Sequence, residues 1–250
     1  MKIETLNDDS PCSSGAAEVW PATNATAAVR FRLGGRLRYL SHAETMRLWQ
    51  RVCARAGICV KYTQGFNPHP KMSLPLPRAV GVASEDDLLV LRLRDERGLP
   101  HGPEGPVSCA AWEAWTRESL RRAVPDGIEI LSVRLMASGV SFRCDGAVYE
   151  FPLRRLGPEG ADERSRKVEW VLTSERLMVE RKSPKSRDVR SIDVRPFLKS
   201  IGLEDDCLTV ECDVTASGSV RVDEMMRILG VGAGDLTGPI RRTRVRWSLA

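Results

Sequence analysis

Residues 28–57 read AVRFRLGGRLRYLSHAETMRLWQRVCARAG and carry a strand, a turn and a helix in succession. Val29, Phe31 and Leu33 alternate with Arg30 and Arg32, the period of a half-buried strand with a basic outer face. Gly34-Gly35 marks a turn or bulge, after which Leu37 and Tyr39 resume the alternation. Ser41 and Glu44 stand at capping-box spacing and open a helix. Met46, Trp49, Val52, Cys53 and Ala56 fall on one face of it, and Gly57 closes it.

Outward from this block the pattern continues. Ile58–Tyr62 reads as a second strand and the near-continuously apolar Leu88–Leu93 as a third. The Pro/Gly-rich run 98–106 is a connection. Ser108 precedes a helix over Trp112–Val124, stopped by Pro125-Asp126-Gly127, and Ile128–Leu135 is a fourth strand. The order β-α-β-β-α-β is the split βαβ, or ferredoxin-like, plan. The second half repeats it more weakly: a strand or hairpin over 140–153, a charged helix over 158–175, and a strand at Leu177–Arg181. Then come a β pattern from Ile192 to Ile201 that ends in a turn or short helix, a strand at Leu208–Val214, a short helix at Asp223–Leu229 and a last strand at Arg242–Trp247. The expected fold is α+β: two ferredoxin-like halves, 28–137 and 138–250, behind a small, polar, disordered tail at 1–27. A single mixed α+β domain is the alternative.

Composition narrows the function classes. Of 250 residues, 42% are hydrophobic, enough for a core, and the net charge of +5 suits a polyanionic partner without requiring one. Seven cysteines without C-x-x-C spacing point to a reducing cytoplasm and away from structural zinc or an iron–sulfur cluster. No stretch approaches the ~20 apolar residues of a membrane span, so a soluble protein with no membrane partner is expected. Walker, dinucleotide and nucleophile-elbow motifs do not appear, and no cofactor or metal is expected.

The most informative loop is Lys61–Gly81, KYTQGFNPHPKMSLPLPRAVG, which contains no acidic residue. Pro68, Pro70, Pro75 and Pro77 exclude helix and hinder sheet pairing. Lys61, Lys71 and Arg78 supply charge, Gln64, Asn67, His69 and Ser73 supply donors and acceptors, and Tyr62 and Phe66 supply rings. This composition describes a rigid, positively charged binding loop; a proline-stiffened connection packed on the core is the alternative. A second basic concentration runs from Arg181 through Lys182, Lys185, Arg187 and Arg190 to Arg195, with a hairpin tip at Ser183-Pro184. Asp193 and Arg195 are spaced to pair. Alternation also puts Arg242, Arg244 and Arg246 on one sheet face, opposite Val245 and Trp247. His42, at the first position of a helix, is a candidate general base, with packing beside Tyr39 as the ordinary reading.

The motifs LRYLSH (37–42), GFNPHPKMS (65–73), GVASE (81–85), VRSIDVRP (189–196) and Arg242-Thr243 resemble the radical-SAM-linked proteins of bacteria, an uncharacterised family. The resemblance covers roughly residues 28–247, and GFNPHPK is its most specific part. It implies an accessory role beside a radical S-adenosylmethionine modification enzyme, with tRNA or rRNA as substrate, and it adds Arg38 and Tyr39 to the nucleic-acid-binding candidates. Thr63-Gln64 stands where that family tends to carry serine and glutamate, which favours binding over catalysis. Three functions follow: an RNA-binding accessory protein, a metal-independent RNA-processing enzyme with His42 as general base, and a protein-only adaptor that docks the radical enzyme.

Overall fold

The structure is a computed structural model and describes residues 25–94, 108–182 and 188–250. Most of the expected tail, the connection at 98–106 and the hairpin tip with Lys185 and Arg187 lie outside them. The architecture is mixed α+β, and the described chain divides into two compact units: one runs to Cys144 and takes back Trp247–Ala250, the other spans Asp145–Arg246.

In the first unit, β1 (Thr26–Leu33) lies antiparallel between β3 (Ala83–Arg92) and β4 (Ile128–Met136), and the two-residue β2 (Met72–Ser73) pairs with β3. The strand order is β4-β1-β3-β2. Helices α1 (His42–Arg55) and α2 (Cys109–Ala123) share one core with this sheet. Val29, Phe31 and Leu33 of β1 are buried there with Trp49, Leu89, Leu91, Trp112, Leu120 and Ile130. The Phe31 and Trp49 rings meet edge to face, 4.7 Å between centroids. The capping box forms: Ser41 Oγ accepts from the Glu44 amide, and the Glu44 carboxylate accepts from the Ser41 amide and hydroxyl at 2.8 and 2.6 Å. These bonds, the hydroxyl's first, hold the Glu44 carboxyl below the usual range.

Three local expectations are corrected. Residues 35–39 form a single-turn 3-10 helix rather than a resumed strand. The turn is fixed from across the sheet, where the Gly34 amide donates to the Gly127 carbonyl at 2.8 Å. Gly127 itself has φ +96°, and a Cβ there would stand 2.9 Å from the Gly34 oxygen. Residues 58–62 make only isolated bridges, Val60 to Leu93 and Tyr62 to Pro70, because proline at 68 and 70 cannot supply ladder donors. Strand β3 begins at Ala83, well before the apolar run, because two buried carboxylates are satisfied: Asp86 by Arg30 at 2.9 Å and Asp87 by the Ser84 hydroxyl at 2.6 Å.

In the second unit the sheet order is β10-β5-β9-β8, with β5 Phe142–Pro152, β8 Leu198–Glu204, β9 Cys207–Asp213 and β10 Arg241–Leu249. Helix α3 (Pro158–Thr173) follows β5, and α4 (Val222–Leu229) precedes β10. Among the described residues strands β6 (Met178–Lys182) and β7 (Val189–Asp193) pair only with each other, as a separate two-stranded ribbon. Phe151, Val171, Leu208, Val210, Met225 and Val245 are buried. Among the described residues no helix is long and apolar enough to cross a membrane.

Candidate nucleic-acid interface

The loop 61–81 starts from a fixed base. The Lys61 amide donates to the Arg92 carbonyl at 2.7 Å, the Arg92 amide to Lys71 O at 2.9 Å, and the Lys71 amide to Lys61 O at 2.6 Å. Both lysines are thereby pinned beside the end of β3. Above them the chain closes into a short hairpin. The Thr63 amide donates to His69 O at 2.8 Å, and the Thr63 hydroxyl accepts from the His69 amide at 2.9 Å. Gln64–Pro68 form the tip. Gly65 there has φ +131°, a conformation few other residues adopt, and it turns the next ring outward. Phe66 is wholly exposed, at 106% of its reference area, and Tyr62 at the stem is 51% exposed. Gln64, Asn67, His69, Lys71 and Ser73 are exposed too, while Lys61 is half-buried. The aliphatic residues Met72, Leu74 and Leu76 are half-buried, and the first two pack on the core. The loop therefore has an apolar root and a polar, aromatic crown.

Arg78 has a different role from the one expected. Its Nη1 donates to the carbonyls of Arg38 and Val82, both at 2.6 Å, and its Nη2 reaches those of Leu40 and Leu37 at 3.3 and 3.4 Å. Its guanidinium is directed into the protein and ties the loop's end to the 3-10 turn. That turn carries the second exposed group. Arg38 lies over the Tyr39 ring, 4.4 Å from guanidinium carbon to centroid, and also donates to the Tyr39 hydroxyl at 2.7 Å. Tyr39 is 58% exposed. His42 is exposed at the start of α1, and its side chain has no hydrogen bond or ion pair among the described residues.

The second basic group is split. Lys182 and Arg190 are exposed on the ribbon. Arg181 faces Arg190 in register, yet its guanidinium binds Glu224 through both oxygens, at 2.7 and 2.8 Å, and the Ser219 carbonyl at 2.6 Å. Burial pushes the Glu224 carboxyl up, but the Arg181 guanidinium and the Arg221 amide outweigh it and hold it below the usual range. Arg195 donates to the carbonyls of Leu172, Ser174 and Leu198 and so closes the end of α3. Asp193, its expected ion-pair partner, accepts instead from the Leu177 and Arg195 amides. The basic face of β10 is also corrected. Arg242 is 1% exposed, and burial skips from Arg242 to Val245 and Trp247, so the two-residue alternation breaks between 242 and 245. Arg246 turns to Glu211 and Asp213, leaving Arg244 exposed.

Two cations escaped the reading of the sequence. Arg36 is exposed within the turn that carries Arg38, and its place in RLRYLSH was signal enough. Arg94 is exposed at the root of the loop, where its amide donates to Cys59 O at 2.9 Å. Nothing local marks Arg94, since only the tertiary pairing of 58–62 with 92–94 puts it there. Among the described residues no three His, Cys, Asp or Glu side chains gather as metal ligands.

No curated protein matches the chain. A family model described as "Uncharacterized protein conserved in bacteria (DUF2344)" matches residues 27–224, a span that takes in the whole loop, the 3-10 turn and the ribbon. The chain belongs to that family of uncharacterized bacterial proteins, DUF2344.

Proposed function

We propose that this protein is an accessory RNA-binding protein that serves a radical S-adenosylmethionine modification enzyme acting on tRNA or rRNA. One observation carries the RNA half of this reading: the acid-free loop 61–81 exposes Tyr62, Phe66, His69 and Lys71 on a hydrogen-bonded hairpin. Rings beside cations, with amide and imidazole groups between them, are the equipment of a surface that takes phosphates and bases together. The 3-10 turn adds Arg36, Arg38 and Tyr39 in the same unit. The radical-enzyme half is supported by the likeness of GFNPHPKMS and its companion motifs to the radical-SAM-linked proteins. Binding is favoured over catalysis by His42, whose side chain meets no acid among the described residues to orient it as a base.

The duplicated split-βαβ body belongs to the same proposal. In each unit the sheet runs fourth-first-third-second, β4-β1-β3-β2 and β10-β5-β9-β8, once the ribbon is taken as an insertion between α3 and β8. That shared order supports two copies of one plan.

The test is crosslinking to cellular RNA with sequencing, together with affinity measured across salt. Affinity should fall steeply between low and moderate salt, because phosphate contacts release counterions. Lys71→Glu should weaken binding several-fold and flatten the salt slope by about one or more. Salt-insensitive association, or none, contradicts the proposal.

A further inference from the structure

Resting on that reading, we infer that the hairpin tip recognises an unpaired nucleobase, so the RNA segment it takes is single-stranded: a loop, bulge or tail. Phe66 is exposed beyond its reference area, so neither face of its ring is covered by the protein. An aromatic ring left wholly in water contributes nothing to this chain's stability, and it offers a partner the whole of its apolar area. The backbone that carries it is closed at its base. The Thr63 amide and hydroxyl both engage His69, and Lys71 and Lys61 are bonded below them, so the tip is closed on both sides before any ligand arrives. A backbone already closed in this way has less freedom left to lose on binding.

The geometry of RNA selects the ligand. In an A-form duplex the bases are stacked on one another, the major groove is too narrow for side chains, and the minor groove offers edges rather than faces. A phenyl ring can stack only on a base face, and in a duplex that requires prying a step apart. An unpaired base offers its face directly. Lys61 and Lys71 lie at the foot of the hairpin, and Gln64, Asn67 and His69, all exposed, are close to Phe66 along the chain. Phosphate is thus met at the stem and base at the tip. Any base has such a face, so the selectivity is for unpaired structure rather than sequence.

The test compares a fluorescein-labelled RNA with a single-stranded loop and a blunt RNA duplex of equal length, by anisotropy with the full chain at low salt. The looped RNA should bind at least about tenfold more tightly, and Phe66→Ala should weaken it by about ten- to a hundredfold, the scale of one lost base stack. Duplex affinity should not change. Phe66→Trp should restore the preference, and its indole emission should be quenched by the looped RNA. Because the ring touches nothing inside the protein, Phe66→Ala should keep the parent circular dichroism and melting temperature. Equal affinity for both RNAs, with Phe66→Ala silent, overturns this inference and leaves RNA binding standing. Absence of salt-dependent binding to either RNA overturns both. Phe66→Ala abolishing a nuclease-insensitive protein pull-down, with RNA affinity intact, overturns the inference by assigning the tip to a protein partner.

Discussion

Lys71 and Arg78 stand seven positions apart in one basic loop, and their surroundings give them opposite tasks. Lys71 is exposed, while the Arg78 guanidinium is half-buried among backbone carbonyls of residues 37–40 and of Val82. The planar fork reaches four of these carbonyls from fixed positions, whereas an ammonium is a compact point charge with three donors and cannot match that spread. Arg78→Lys should therefore lower stability by about 1–3 kcal/mol, the cost of buried acceptors left under-satisfied. It should leave the salt slope of RNA binding unchanged, since no phosphate contact is lost. Urea unfolding and a salt titration on the same sample separate the two. A slope that fell with Arg78→Lys would instead make Arg78 a phosphate ligand. At this scale the sequence shows which residues are charged but not where they point. Arg181, Arg195 and Arg242 looked like Arg190 until tertiary partners drew them inward. Cys53 illustrates the same dependence, its thiol pushed up to about 12 by burial in the core.

Among the described residues the ribbon of β6 and β7 pairs with no other strand, and one of its ties to the rest of its unit is the Arg181–Glu224 contact with α4. Glu224 is 1% exposed, so removing its partner strands a buried charge. Arg181→Met should cost about 3–5 kcal/mol at neutral pH, and the double variant with Glu224→Leu should recover much of it. The pH dependence follows from the depressed carboxyl. With a folded value below the unfolded one, the pair's contribution is complete above the unfolded value and is lost as pH falls through the folded one. Without Arg181 burial prevails and raises the folded value, so the variant's deficit should grow from pH 4 to pH 7. Urea midpoints across that range check the sign, and a deficit that shrank would refute it. Elements were the most legible level of the sequence. The Ser41–Glu44 box, the buried face of α1 and the strands β4, β9 and β10 all follow from local spacing. The failures were non-local. The turn at 35–39 is set by Gly127, far along the chain, and the acidic start of β3 makes sense only once Arg30 is paired with Asp86. The reading of 61–81 as a loop was legible because proline chemistry is local; its closed hairpin was not, because one of its two closing bonds goes to a threonine hydroxyl rather than to a backbone partner.

Each unit has its own pair of helices, but the chain does not finish one before starting the other. Trp247–Ala250 belong with the unit that ends at Cys144, and Asp145–Arg246 form the second unit in between. The return is anchored by the Ala250 amide on Ser141 O at 2.9 Å and by Arg143 Nε on the Ser248 hydroxyl at 3.1 Å. Trp247 is 3% exposed. Trp247→Ala should cost about 3–5 kcal/mol through the cavity it leaves. Hydrogen exchange should show the loss within the first unit, more than a hundred positions upstream in the chain. Protection unchanged there would mean that the return is an ornament of the first unit rather than part of it. The same order of assembly matters during synthesis. A ribosome that has already released residue 144 still holds back the segment that completes the earlier unit, and must extrude about a hundred more residues before it can dock. Over that interval the nascent chain displays an unfinished body.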